Sequence, residues 1–284
     1  MDSSQLFGIA MIASLLAVAL YLGLFLFRAE RIGPIATSLA LGGTCVLTAA
    51  IGLRWHESYQ MGFGHAPLTN MYESLIFFAW CTSCFYLALE YRFKTRAIGV
   101  FVMPFVAAAM MYASFADRID SRINPLIPAL QSNWLIAHVV TCFIGYAAFA
   151  VAGSLGLMYL MKQAAENKPK QNGQSLSDTL PSLQMIDDLT HKTIIFGFIW
   201  LSAGIITGAV WANEAWGTYW SWDPKETWSI ITWFLYAITL HARFTREWRG
   251  QRIAWLAILG VVVVLFTYFG VNFLLSGLHS YGSA

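Results

Sequence analysis

Charge is what this 284-residue chain has least of: Asp, Glu, Lys and Arg together make up 11% of it, against roughly 25% in an average soluble domain. Such a chain cannot cover itself with polar surface, which excludes a water-soluble globule and makes the bilayer the solvent for most side chains. An imbalance of sign is missing as well. A net charge of +2 gives no electrostatic footprint for nucleic acid, which is excluded as a partner. The N-terminus lacks the basic start and short apolar core of a cleaved signal. Asp2 is acidic and the apolar run from Leu6 to Phe27 is full length, so it reads as a retained first span. Cysteine is scarce, and Cys45, Cys81, Cys84 and Cys142 all lie inside apolar runs, which argues for thiols packed as small apolar groups and against an external disulfide framework. Cys81 and Cys84 form a C-x-x-C, but no His follows it, so a haem-attachment or metal site is not indicated. No internal repeat recurs.

What is present is a 58% share of apolar and aromatic residues, gathered into runs of about the 20 residues a helix needs to cross a membrane. Eight candidate spans emerge, over 6–27, 33–53, 69–91, 97–115, 134–161, 193–211, 227–242 and 253–275. The fold class is therefore all-α, a polytopic membrane protein forming one membrane domain over 1–284. The seventh run is short; it is expected to gain a turn from the aromatic segment before it or to sit where protein excludes lipid. Thirteen of the 17 basic residues fall in one set of alternate loops, around Arg28, Arg92, Lys162 to Lys192 and Arg243 to Arg252. The other set holds only Arg54, Arg118, Arg122 and Lys225. By the positive-inside rule the thirteen face the cytoplasm or its equivalent, and both termini are expected outside.

Two loops stand out. The inner one, 162–192, is rich in Gln, Asn, Gly and Ser and reads as a flexible linker. The outer one, 116–133, carries Ile119, Ile123, Leu126, Ile127 and Leu130 at helical spacing, as an amphipathic segment on the membrane surface would, although Pro125 and Pro128 interrupt it. It is placed to roof a site on the outer face.

The segment 211–228 holds five Trp and one Tyr in 18 residues: Trp211, Trp216, Tyr219, Trp220, Trp222 and Trp228. Tryptophan at a membrane interface is ordinary, but a belt does not require this density. Asp223, Pro224 and Glu226 have a local explanation as N-cap, first residue and third residue of a capping box that starts the seventh span. The Trp cluster itself suits a large planar aromatic ligand. If that ligand carries a metal, histidines must approach it. His138, one turn inside the fifth span, and His279, just beyond the eighth, are both predicted on the same outer face as the cluster; an imidazole pair on opposite sides of the ring is how haem iron is held without covalent attachment. Taken singly, each is more often a hydrogen-bonding or interface residue. His241 lies about 20 Å inward of Trp228 at 1.5 Å per residue, where snorkelling beside Arg243 is an equal explanation. His56, His65 and His191 read as ordinary loop or interface residues.

The run from Trp216 to Trp228, WGTYWSWDPKETW, resembles the tryptophan-rich WWD motif of haem-handling proteins in cytochrome c maturation. With the eight spans, the entry to the third span at 67–77 (PLTNMYESLIF) and the C-terminal His279, the chain resembles the CcsA (also ResC) family over most of its length. The resemblance implies an external haem-binding segment comprising Trp216, Tyr219, Trp220, Trp222, Asp223 and Trp228, with His138 and His279 as axial ligands of haem b. It implies that His241 is half of an inner haem site whose other histidine belongs to a CcsB (ResB) partner. Haem would enter from inside, pass His241, reach the outer site and be held reduced. There an apocytochrome c presenting Cys-x-x-Cys-His adds its thiols across the vinyl groups, making the complex a haem–apocytochrome c ligase with a separate source of thiol reductant. Pairing of Lys225, Arg118 or Arg122 with haem propionates is weighed against ordinary surface charge, which is favoured for each. The membrane is that of a bacterial cell or a thylakoid. The alternatives are a CcmC-like protein that passes haem to a chaperone, a bis-His b-type electron carrier, and a transporter of another aromatic ligand.

Overall fold

The computed structural model describes residues 2–117, 119–167 and 176–275. Eight long helices carry the fold: α1 (Ser3–Phe27), α2 (Gly33–Gln60), α3 (Met71–Phe93), α4 (Ala97–Phe115), α5 (Asn133–Glu166), α6 (Leu183–Trp216), α7 (Pro224–Arg246) and α8 (Gln251–Leu274). α8 passes through a π turn at Phe266–Gly270, and there is no strand among the described residues. Large apolar side chains point away from the protein: Ile12, Leu16, Leu26, Ile199, Ile206 and Val262 are all exposed. Polar groups such as Thr44, Glu73, Ser83 and Glu90 are buried. That arrangement is the inverse of a soluble bundle and is stable only in lipid, where each buried polar group must find a partner within the protein. Thr44 does so with the Ala40 carbonyl and the Ser83 hydroxyl, and Glu90 with the hydroxyls of Tyr21, Tyr86 and Thr37.

Seven of the eight helices are long and apolar enough to cross a membrane. The exception is α7, where Thr, Ser and His dilute the apolar run. Its 23 residues span about 34 Å at 1.5 Å each, enough for a crossing, and the missing turn comes from Pro224 onward. Thr232 and Thr239 of α7 turn inward: Thr232 bonds the Trp228 carbonyl and meets the Thr267 hydroxyl at 2.9 Å, while Ile231, Phe234 and Ile238 face out.

Three expected boundaries are corrected. α5 runs to Glu166 and α6 begins at Leu183, so the inner linker is shorter than 162–192. Polar helix continues past the bilayer at both ends, with Ser182 capping α6 through the Met185 N–H. Likewise α6 runs to Trp216 and α7 starts at Pro224, leaving only 217–223 of the Trp-rich segment outside a helix. Among its described residues the 116–132 strap forms no amphipathic helix. The prolines hold these irregular apart from a 3₁₀ turn at Pro128–Leu130.

The helices alternate between two ends. One gathers the loops at 61–70, 116–132 and 217–223 and is called the aromatic end; the other gathers the Arg-bearing loops and is called the basic end. At the aromatic end Arg54, 3% exposed in its side chain, pairs with Glu73 at 2.8 Å and donates to the carbonyl of Ser121 in the strap. At the basic end Arg243 forms a bidentate pair with Asp187 at 2.9 and 2.8 Å, and Asp187 also accepts the Gly250 N–H. This clamp ties α6 to the α7–α8 turn. Asp187→Ala removes the bidentate partner of a buried guanidinium and leaves it only the Asp188 carboxylate at 3.7 Å, so it is expected to destabilise the protein by about 3 kcal/mol. Thermal unfolding in detergent checks this, and an unchanged midpoint would refute it.

Candidate functional site

Where α5, α6, α7 and α8 meet beneath the strap, the aromatic end encloses a cavity of about 240 Å³ whose wall includes His138, Trp211, Trp216, Tyr219, Trp220 and Lys225. α5 starts there because Ser132 caps it: its hydroxyl accepts the Trp134 N–H and donates to Glu214 of α6 at 2.8 Å. Five residues on, His138 comes to lie against α6. Its Nδ1 is 2.8 Å from the Gly204 carbonyl oxygen. A carbonyl only accepts, so Nδ1 carries the proton, and the neutral imidazole then has its lone pair on Nε2. Fixing one ring nitrogen by a backbone carbonyl is how metal-binding histidines are usually oriented.

The close approach depends on glycine. A Cβ added at Gly208 would lie 2.5 Å from His138 Nδ1, and one at Gly204 would lie 2.5 Å from Cys142 Sγ. The four-residue spacing of Gly204 and Gly208 thus cuts a slot in α6 for side chains of α5, a small-residue seam of the kind membrane helices use. The His138 ring stacks on Trp211 at 6.0 Å and 14°, Trp216 meets Trp211 edge-on at 4.8 Å, and Trp211 Nε1 donates to Ala129 O of the strap at 2.9 Å. In the same strap, the Arg122 N–H and the Asn124 amide donate to Asp120 and hold its carboxyl below the usual carboxylate range.

The bend after α6 sorts the remaining aromatic residues. Gly217 ends the helix with φ 76, and Trp222 adopts φ 60, a conformation costly for a side-chain-bearing residue. Glu226 enforces it, because its Oε2 accepts N–H groups on both sides of Trp222, from Ser221 at 2.8 Å and from Asp223 at 3.2 Å. Asp223 in turn accepts the Lys225 N–H at 2.9 Å and caps α7, as the spacing predicts. Trp222 is 72% exposed and stands edge-on to Trp220 at 5.7 Å. Trp228 packs on Phe266 at 4.3 Å.

Of the residues singled out in the sequence, the cavity therefore collects His138, Trp216, Tyr219 and Trp220. Trp222, Asp223 and Trp228 build and support the bend without entering the wall. His241 is exposed on α7 near the basic end, far down the helix from the cavity, and His279 and Arg118 lie outside the described residues. His65 is buried with its Nδ1 3.1 Å from the Ala66 carbonyl oxygen and its Nε2 3.0 Å from that of Asn124, and His56 is exposed beside Gln60, both local roles. Sequence reasoning passed over Tyr268, gave Cys142 a packing role and favoured ordinary surface charge for Lys225; all three are in the wall. The paired glycines of α6 opposite His138 were the signal that α5 and α6 touch at that level.

An aromatic-walled cavity at one end of a membrane helix bundle, with an oriented imidazole in it, defines a class of polytopic membrane proteins. The chain belongs to the CcsA family of cytochrome c assembly proteins. The profile described as "Cytochrome C assembly protein" matches residues 68–279. The cytochrome c biogenesis protein CcsA of Guillardia theta is 40% identical over 279 residues, covering 93% of this chain and 91% of its own. That of Gloeobacter violaceus is 36% identical over 341 residues, covering 99% and 98%. Among solved structures, the cytochrome c haem lyase CcmF superposes with a TM-score of 0.72 at 18% identity over 95% of this chain. This chain spans about half of it, 47%, and the likeness is one of fold. The family assigns the chain to cytochrome c maturation.

Proposed function

We propose that the chain binds haem b at the aromatic end, with His138 as one axial ligand, and presents it to apocytochrome c for thioether attachment. The observation that carries this reading is the His138 imidazole, oriented by the bond of its Nδ1 to the Gly204 carbonyl and mounted in a wall of indoles. Iron takes imidazole axially, and flat rings stack on flat rings. The cavity is below the roughly 300–1,000 Å³ of most small-molecule clefts, so a porphyrin would lodge an edge in it and extend between the strap and the bend. His279 is the proposed second ligand. His241, exposed on α7, is the proposed inner haem contact, completed by a histidine of a CcsB-like membrane partner. On this reading the protein's own contribution is orientation and exclusion of water. Bound haem supplies the vinyl groups to which the two thiols of a Cys-x-x-Cys-His segment add, each thiol giving its sulfur to one vinyl carbon and its proton to the other; a separate reductant keeps thiols and iron reduced. The names of the CcsA relatives and of the haem lyase CcmF support the reading, as does the positive-inside pattern, from which the proposed setting of the aromatic end is the outer side of a bacterial plasma membrane or thylakoid.

The test is a visible spectrum of the protein purified with its partner, followed by addition of an apocytochrome c peptide bearing Cys-x-x-Cys-His under reducing conditions. A Soret band is expected, and mass spectrometry is expected to find haem transferred to the peptide as a thioether adduct. No Soret band would overturn the haem reading. Haem that stays on the protein would point to a b-type electron carrier instead.

A further inference from the structure

His65 stands behind the cavity wall and joins two of the segments that form it. Gly62 and Gly64, at φ 79 and 64, fold the loop after α2 back onto that helix. There the Phe63 and Gly64 N–H groups donate to the Ser58 carbonyl and the His65 N–H donates to the Ser58 hydroxyl. The imidazole is thereby turned inward and is 8% exposed. It meets the Ala66 carbonyl through Nδ1 and the Asn124 carbonyl of the strap through Nε2. Leu68 and Thr69, just beyond Ala66, line the cavity, as do Ile127, Ala129 and Leu130, just beyond Asn124.

Two oxygen acceptors facing one imidazole set a chemical condition. A neutral ring carries a single N–H, so it satisfies one oxygen and turns a lone pair on the other; the imidazolium donates to both. Burial opposes that charge, and the two carbonyl dipoles favour it. Among the described residues no carboxylate pairs with the ring. Charges on the elements around it are already engaged. Glu73 of α3 is held by Arg54 of α2 and by the Thr69 N–H and hydroxyl, Glu57 of α2 by Ser3 of α1, and Asp120 of the strap by the Arg122 N–H and the Asn124 amide. His56, Tyr59 and Asp117 are exposed. Asp120, with its carboxyl below the usual range, stays ionised where imidazoles titrate, between about pH 5 and 8. The other grips on the strap come from donors that do not titrate there: Arg54 on the Ser121 and Arg122 carbonyls, Asn70 on that of Arg122, and Trp211 on that of Ala129.

We propose that His65 is a pH-dependent positioning residue: as the imidazolium it binds the 61–70 loop to the strap through two hydrogen bonds and holds the roof over the cavity, and on losing a proton it gives up one of them. The proton favours the closed roof, so by linkage closure strengthens as pH falls through the imidazole range and weakens as pH rises. The lock acts on the roof itself, whichever planar molecule the cavity takes.

Hydrogen–deuterium exchange of the detergent-purified full chain tests this. Backbone exchange in peptides covering 119–132, corrected for the intrinsic pH dependence of the chemistry, is followed from about pH 5 to 8. Protection is expected to be about tenfold higher at the acid end, the effect of one charge-assisted hydrogen bond. Exchange at the imidazole C2–H, read by mass on a peptide that holds His65 without His56, gives the protonation midpoint of His65 in the same samples, and the strap transition is expected to fall on it. His65→Gln, neutral at every pH, is expected to abolish the transition and leave the strap at its alkaline protection. Equal protection across the range, a transition displaced from the His65 midpoint, or a transition retained in His65→Gln overturns the proposal. Should His65→Gln fail to fold, coincidence of the two midpoints in wild type supports the proposal and their separation overturns it.

Discussion

Replacing His138 with glycine is expected to abolish the Soret absorption of the purified protein and to lower cytochrome c assembly by more than about 100-fold, beyond the 10–100-fold typical of losing a group that only orients a metal ligand. The reasoning is geometric. The ring occupies a slot closed on one side by Gly204 and Gly208 and on another by Trp211, so truncation leaves a hole that free imidazole can enter. Imidazole added to the growth medium is therefore expected to restore part of the assembly in His138→Gly and to do nothing for wild type. Spectra of the variant with and without imidazole, with a count of mature cytochrome c, check both statements. Assembly at the wild-type level in His138→Gly would remove this residue from the site.

Gly208→Ala is expected to have the second-largest effect, although it replaces no side chain: Gly208 lines the cavity behind His138. Alanine favours a helix over glycine by about 1 kcal/mol, so local propensity alone predicts a protein at least as stable. The added methyl, however, would sit 2.5 Å from His138 Nδ1 and 2.7 Å from Cε1, inside any tolerable contact. The imidazole must swing away, and the bond from Nδ1 to the Gly204 carbonyl is lost with it. Haem affinity is expected to fall by about 10–100-fold, the usual effect of losing a group that orients a metal ligand, with no drop in unfolding temperature. Equilibrium titration and thermal unfolding of the same preparation measure the two quantities, and unaltered affinity would show that the slot does not set the ring.

Much of this architecture is legible in the sequence because the bilayer imposes it locally. Apolar runs near 20 residues mark the spans, and alternation of Lys and Arg orders the loops. The capping box at Asp223 and Glu226 is equally local, and both carboxylates act as the spacing predicts. The helix ends drift where polar residues carry a helix beyond the apolar run, as in α5 through Glu166 and α6 from Leu183, because hydropathy reports the lipid boundary and not the last hydrogen bond. The aromatic segment reads as one platform in sequence but divides in three dimensions. The division is made by two left-handed residues, Gly217 and Trp222, and composition gives no warning that a tryptophan will take that conformation. Lys225 was hardest to read: its place in the wall follows from Asn272, 47 positions away, through a π turn that no periodicity signals.

The glycine-lined contact between α5 and α6 continues below the cavity, where Gly145 lies so close to Leu201 that an added Cβ would be 3.1 Å from its backbone nitrogen. Two helices joined so tightly along their length act as a single stiff plank, and the imidazole of His138 is bolted to it. The indole of Trp220, in the 217–223 bend, belongs to a short connection restrained by the Glu226 carboxylate. On the proposed reading, a guest bulkier than the resting cavity would meet a fixed anvil on one side and the less braced bend on the other, so the adjustment is expected in the aromatic cover and not at the point of coordination.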